Sequence, residues 1–218
     1  MTRTTSREAM IDAAEQIVAE RGIPALTLKD VQIAAGQSNK SAAKYHFGSR
    51  EGLIEAVVEA RGSAVNTRRQ ALLEEMEAHG TPLTARQAVE AMVWPLASET
   101  LSRPGSRYAR FLVQALFDPA LADLIKQNLS SESYRRVLQL MGDACSAPPE
   151  IAKWRALNVV VFSIAVLAAH ENSDRTSDQR TATVTDLIDS CVAILETSPS
   201  TGTGTGVAEP ISLAPPTP

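Results

Sequence analysis

Aromatic residues make up only 4% of this 218-residue chain, although 44% of it is hydrophobic. With alanine and leucine supplying much of the apolar content, and proline and glycine clustered between candidate helices, the composition favours an all-α protein. Cysteine is nearly missing. Cys145 and Cys191 stand alone without CxxC spacing, which excludes a disulfide scaffold and leaves two small, buried thiols as the expectation. His46, His79 and His170 are too scattered to suggest metal ligation, and no cofactor motif is present, so neither metal nor cofactor is expected. The longest apolar run, Val159 to Ala169, is interrupted by Ser163 and too short to span a bilayer. Met1 to Arg7 is polar and lacks a leader pattern, so the expectation is a cytoplasmic protein with no membrane partner.

Positive charge is also in deficit, the formal net charge being −4, which argues at first against a polyanionic partner. Its distribution reverses the argument. Between Thr27 and Arg50, Lys29, Lys40, Lys44 and Arg50 face only Asp30, a local excess of +3 on a remainder of −7. A concentrated cationic face on an acidic body orients a protein toward phosphate.

The same stretch, TLKDVQIAAGQSNKSAAKYHFGSR, reads as two short helices around a tight turn. Thr27 with Asp30 is a capping start. Leu28, Val31 and Ala35 share one face, and Gly36 ends the helix by accepting a positive φ. Ser38 or Asn39 can cap a second helix whose inner face is Ala42 and Phe47 and whose outer face, Asn39, Lys40, Ser41 and Lys44, is polar. This is the outline of a helix-turn-helix, whose second helix enters the DNA major groove.

Thr27, Val31, Ala34-Ala35-Gly36 and Ser38, followed by Tyr45-His46-Phe47-Gly48-Ser49-Arg50-Glu51-Gly52-Leu53, resemble the N-terminal domain of the TetR family of transcriptional repressors. The match covers roughly the first quarter of the chain. It departs from the usual pattern at Gln37, where members commonly carry valine, and at Ala43 and Lys44, where a large apolar residue and a tyrosine are common. The resemblance implies an all-helical ligand-binding and dimerisation domain after the reader, for about nine helices in all. The divisions expected are residues 1–47 for DNA binding, 48–197 for effector binding and dimerisation, and 198–218 as a disordered Gly/Thr/Pro-rich tail.

Around this unit the chain supplies a capping box at Thr5 to Glu8 and an amphipathic first helix with Met10, Ala13, Ala14, Ile17 and Val18, ending at Gly22. Ser49 caps a long fourth helix running toward His79-Gly80. Thr84 begins another, kinked at Pro95. Ser106 opens a helix after Arg103-Pro104-Gly105, and Asp118-Pro119 restarts the chain with a bend near Ser130-Ser131. Pro148-Pro149 precedes a helix apolar on more than one face, and the last helix runs from about Ser177 to Glu196. These final two helices are expected to pair with those of a second copy, presenting two readers to palindromic double-stranded DNA.

Gln37, Asn39, Lys40 and Ser41 are the candidates for reading base edges, and Lys29, Lys44, Tyr45, His46, Ser49 and Arg50 for holding phosphates. An apolar cavity for a small effector is expected among Met92, Tyr108, Phe111, Tyr134, Met141, Trp154 and Phe162, with Gln114 and Asn158 as orienting groups. Arg107 and Arg110 are candidates to meet an anionic ligand. Two other classes were weighed: a helical adaptor binding only proteins, and a hydrolase using Ser41-Ala-Ala-Lys44, whose companion motifs are absent.

Overall fold

The computed structural model describes residues 5–78, 80–121, 124–125 and 131–199. Among these the chain is all-α, with nine helices: α1 Ser6–Arg21, α2 Leu28–Ala34, α3 Ala42–Phe47, α4 Arg50–Glu77, α5 Ala85–Thr100, α6 Tyr108–Leu116, α7 Glu132–Asp143, α8 Pro149–His170 and α9 Ser177–Glu196. Arg3, His79, the bend expected at Ser130 and residues 200–218 of the expected tail lie outside the described residues.

Helix boundaries follow the capping chemistry. The Thr5, Thr84 and Thr176 hydroxyls each accept from the backbone N–H three residues on, and in each case a Glu or Gln side chain accepts the cap residue's own N–H. Ser49 accepts from Gly52 at 3.0 Å to start α4, and Ser131 accepts from Tyr134 at 3.3 Å to start α7. These side-chain oxygens satisfy donors that the first helical turn leaves unbonded. Helix α5 runs unbroken through Pro95, the position of the expected kink, and the Pro95 side chain is buried.

Met10, Ala14 and Val18 of α1 are fully buried and cover α2 and α3, from which Val31, Ala43 and Phe47 enter the same core. Gly36 takes the left-handed conformation, φ 64°, that turns the chain between α2 and α3. Gly52 is required for a different reason. A Cβ there would stand 2.2 Å from the Phe47 carbonyl oxygen, so only glycine lets the end of α3 rest on the first turn of α4.

In the body, α5 is central and touches α4, α6, α7, α8 and α9. Helix α8 is long and apolar enough, by length and composition, to cross a membrane, which the sequence expectation based on Val159 to Ala169 alone missed. It instead lays Ala156, Val159, Val160, Ile164 and Leu167 into the core against α5, α6, α7 and α9. Its other side remains open, with Trp154 62%, Leu157 43% and Phe162 38% exposed. The two cysteines are free, Cys191 buried and Cys145 half-buried.

The N-terminal helices meet the body where α1 packs on α6. Glu15 of α1, only 3% exposed, accepts from Arg61 Nε and Arg103 Nη2, both at 2.7 Å, and from the Arg107 backbone N–H at 2.6 Å. Glu171 accepts from Ser106 Oγ at 2.8 Å and from the N–H groups of Ala109 and Arg110, both at 3.1 Å. The N-terminus of α6 is thus closed by two buried carboxylates, one from each domain, placed where the helix dipole favours negative charge.

Candidate nucleic-acid interface

The surface of α2, α3 and the turn between them is built on the small, closely packed interior of Val31, Ala42 and Ala43. Outside it, Lys29, Asn39, Lys40, Ser41, Lys44, Tyr45, His46 and Ser49 are all exposed. Tyr45 is 85% exposed and meets His46 edge-on, with ring centroids 5.2 Å apart. Arg7 of α1 lies over the Phe47 ring at 5.8 Å, adding a cation beside the patch. An apolar-bodied tyrosine standing in solvent beside lysines suits contact with a sugar–phosphate strand.

Five candidates sit differently from the sequence expectation. Helix α3 begins only at Ala42, so Asn39, Lys40 and Ser41 occupy the turn ahead of it, where Asn39 Oδ1 accepts from the Ser41 N–H at 3.0 Å. Gln37, expected to read bases, is half-buried. Its Oε1 accepts from Ser6 Oγ, and its Nε2 donates to the Ala35 carbonyl at 3.0 Å, clasping the start of α1 to the turn. Arg50, expected to hold phosphate, turns inward: Nε donates to the Leu26 carbonyl at 3.1 Å and Nη2 to the Ile23 carbonyl at 2.8 Å. The Ile23 carbonyl also accepts the Leu26 N–H at 3.1 Å, and the guanidinium adds a second, charged donor to it while bonding the Leu26 carbonyl beyond the end of the 3-10 turn Ile23–Ala25.

Residues 10–57 match the family model of the bacterial regulatory proteins of the tetR family. Over that N-terminal stretch the chain is similar to the DNA-binding domain of the tetR family. Solved structures share its fold over nearly the whole length. FadR from Bacillus subtilis, in complex with stearoyl-CoA, is 14% identical with a TM-score of 0.61, covering 86% of this chain and 98% of its own. AmtR from Mycobacterium smegmatis is 15% identical with a TM-score of 0.58, covering 91% and 90%. A TetR transcriptional regulator from Legionella pneumophila is 15% identical with a TM-score of 0.52, covering 87% and 98%. No curated protein matches the sequence.

In the body of the chain, a cavity of about 30 Å³ lies between α4, α5, α6, α7 and α8, with Met92, Tyr108 and Tyr134 among its lining. It is the size of about one water molecule. The other effector candidates lie elsewhere. Phe111 is fully buried, stacked on Tyr108 at 6.4 Å, and Met141 is fully buried; neither is among the residues lining this cavity. Gln114 is exposed on the polar side of α6, and Trp154, Asn158 and Phe162 are exposed on α8, a helix apolar nearly all round that gives no sequence sign of which stripe turns inward. Arg107 and Arg110 also leave the candidate set. Arg110 donates to the carbonyls of Ala168 and Glu171, and Arg107 to that of Ser106, bracing the start of α6. A larger open groove of about 580 Å³ runs between α7 and α8, but its Gln139, Asp143 and Lys153 are exposed.

The charged group in the lining of the small cavity, beside Asn66 and Ser163, is Arg69 of α4, which is 4% exposed. Nη1 donates to Asn66 Oδ1 at 2.8 Å, Nη2 reaches only the Met92 sulfur at 4.0 Å, and Nε has no partner. The Tyr134 ring lies 5.6 Å from the guanidinium carbon. No carboxylate among the described residues pairs with it, and burial pulls its pKa down to about 10. An unpaired buried cation costs several kcal/mol. A sign was available in the sequence: Val58, Gly62, Val65, Arg69 and Leu73 recur at helical spacing, a cation within an apolar stripe.

Proposed function

We propose that this protein is a ligand-controlled transcriptional repressor, binding a palindromic operator as a homodimer and released from it by a small, largely apolar effector. Support comes chiefly from one arrangement: the exposed patch of Lys40, Lys44, Tyr45 and His46 is backed by a packed three-helix unit that α4 joins directly to a cavity-bearing body. Asn39, Lys40 and Ser41 read base edges, since lysine donates to guanine and asparagine pairs with adenine. Lys29, Lys44, Tyr45, His46 and Ser49 hold phosphates, with Gln37 and Arg50 fixing the framework instead of touching DNA.

The exposed stripe of Trp154, Leu157 and Phe162 on α8, together with α9, forms the dimer interface, since an apolar face of this kind is normally covered by a partner. Twofold symmetry then sets the half-sites one helical turn or a multiple apart, ~34–36 Å per turn. The effector acts by linkage: a ligand preferring the conformation with wrongly spaced readers lowers operator affinity by the same factor that operator lowers ligand affinity. FadR from Bacillus subtilis, a transcriptional regulator solved in complex with stearoyl-CoA, fits this reading. The test is a gel shift and footprint on DNA from upstream of the protein's own gene. A symmetric protected site on that DNA is expected, and binding no tighter than to random duplex overturns the reading.

A further inference from the structure

The effector cavity in this reading carries a feature that an apolar ligand alone leaves unanswered. Arg69 presents an open edge, formed by Nε without a partner and Nη2 held only by a thioether 4.0 Å away, while Nη1 is anchored by Asn66. That edge is the two-donor fork whose spacing matches the two oxygens of a carboxylate. Around it stand Val65, Leu96, Leu112 and Val160, all apolar, and the Tyr134 ring on one face. We propose that the effector is an apolar carboxylic acid, bound as its anion with the carboxylate bidentate on the Nε–Nη2 edge of Arg69 and its hydrocarbon part among these side chains.

The proposal rests on the effector reading of the cavity and adds the ligand's charge and its orientation. The cavity, about 30 Å³, marks where the head group meets the open edge of Arg69 and widens as neighbouring side chains move. The hydrocarbon part enters by displacing Met92, whose unbranched side chain re-packs readily, and Tyr134, which is half-buried at the start of α7. The anion restores neutrality to a guanidinium whose lowered pKa, caused by burial, already reports the missing charge. Because Arg69 belongs to α4, the ligand is gripped by the helix that leads to the DNA-binding domain.

The experiment uses the full chain without DNA. Thermal unfolding and calorimetric titration are run with benzoate, phenylacetate and octanoate, each beside its neutral amide, and with inorganic phosphate. At least one carboxylate is expected to raise the melting temperature and to bind at least tenfold more tightly than its amide, with phosphate giving neither effect. Arg69→Met is expected to abolish that preference. Should Arg69→Met not fold, Asn66→Asp carries the test, since it places a carboxylate on the same guanidinium and is expected to weaken carboxylate binding at least tenfold. Equal binding of acid and amide, a preference unchanged in the variant, binding by phosphate alone, or no stabilisation by any carboxylate overturns the proposal. A carboxylate that binds through Arg69 yet leaves the operator complex intact instead overturns the release mechanism, so the two failures are distinct.

Discussion

Glu15 Oε1 and Arg103 Nη2 meet at 2.7 Å, joining the first helix of the DNA-binding domain to the segment that leads into α6 of the body. The same carboxylate takes Arg61 of α4, so one side chain links three segments. Glu15→Gln removes the charge and leaves two guanidiniums facing a neutral amide. A loss of roughly 2–4 kcal/mol is expected, below that for a fully buried pair because Arg103 keeps 28% exposure. Urea unfolding checks it. The operator affinity of the remaining folded protein is also expected to respond less to effector, and an unchanged response removes Glu15 from the transmission route.

Lys40 and Lys44 are both exposed on the α2–α3 surface, and the proposed DNA contact gives them different work. Lys40→Ala is expected to relax base preference at one position of the half-site, at about 1–3 kcal/mol of discrimination. Lys44→Ala is expected to weaken operator and random duplex alike and to lower the salt slope by about 1 per site. Fluorescence anisotropy over a salt series distinguishes them. Equal losses on both duplexes for Lys40→Ala take it out of the reading set.

Arg50→Ala is expected to act on stability, not on the DNA contact. Its two charge-assisted hydrogen bonds to the carbonyls of Leu26 and Ile23 hold the α1–α2 connection to α4. Losing them costs roughly 2–4 kcal/mol in total, discounted for partial exposure. Thermal melting is expected to show the loss, while the salt slope of DNA binding by folded protein stays as in the parent. A reduced slope with unchanged melting restores Arg50 as a phosphate ligand.

Glu171 gives a pH dependence of definite sign. Burial is the largest influence and raises its pKa, against the hydrogen bonds from Ser106, Arg110 and Ala109, with a further upward push from Glu15. A folded-state pKa above the unfolded value of 4.5 means that the folded chain holds the proton more tightly. The stabilising contribution is therefore full below 4.5 and is lost as pH rises through the folded value. Compared with Glu171→Gln, the parent is expected to lose relative stability between 4.5 and neutrality. Denaturant titrations across that interval check it, and a parent that gains there contradicts the assignment.

What the sequence made legible was local. Thr5, Thr27, Ser49, Thr84 and Thr176 bond within three residues of themselves, and Gly36 bends its own backbone, so helix starts and the turn follow from short windows. Gln37 and Arg50 were misread because their partners lie 31 and 24 to 27 residues away, and a polar side chain near a DNA motif gives no sign of being engaged internally. Trp154 and Phe162 were assigned to a cavity because α8 is apolar all round, and only the positions of α5, α6, α7 and α9 decide which stripe they cover. Glu15 and Arg69 were missed although each interrupts a buried stripe, Ile11-Glu15-Val18 in α1 and Val65-Arg69-Leu73 in α4. A charge at a core position of the helical repeat is the clue to look for.

The bare Gly52 surface against the Phe47 carbonyl leaves no compressible layer between α3 and the first turn of α4. The 28 residues of α4 make a rod ~42 Å long, with Arg69 about two thirds of the way from the reader. On such a lever a tilt of only ~5° about the distal end sweeps the near end through ~3–4 Å, comparable to the rise of one base pair. Gearing of this kind lets an adjustment of ~1 Å at Arg69 become a full register error on the double helix.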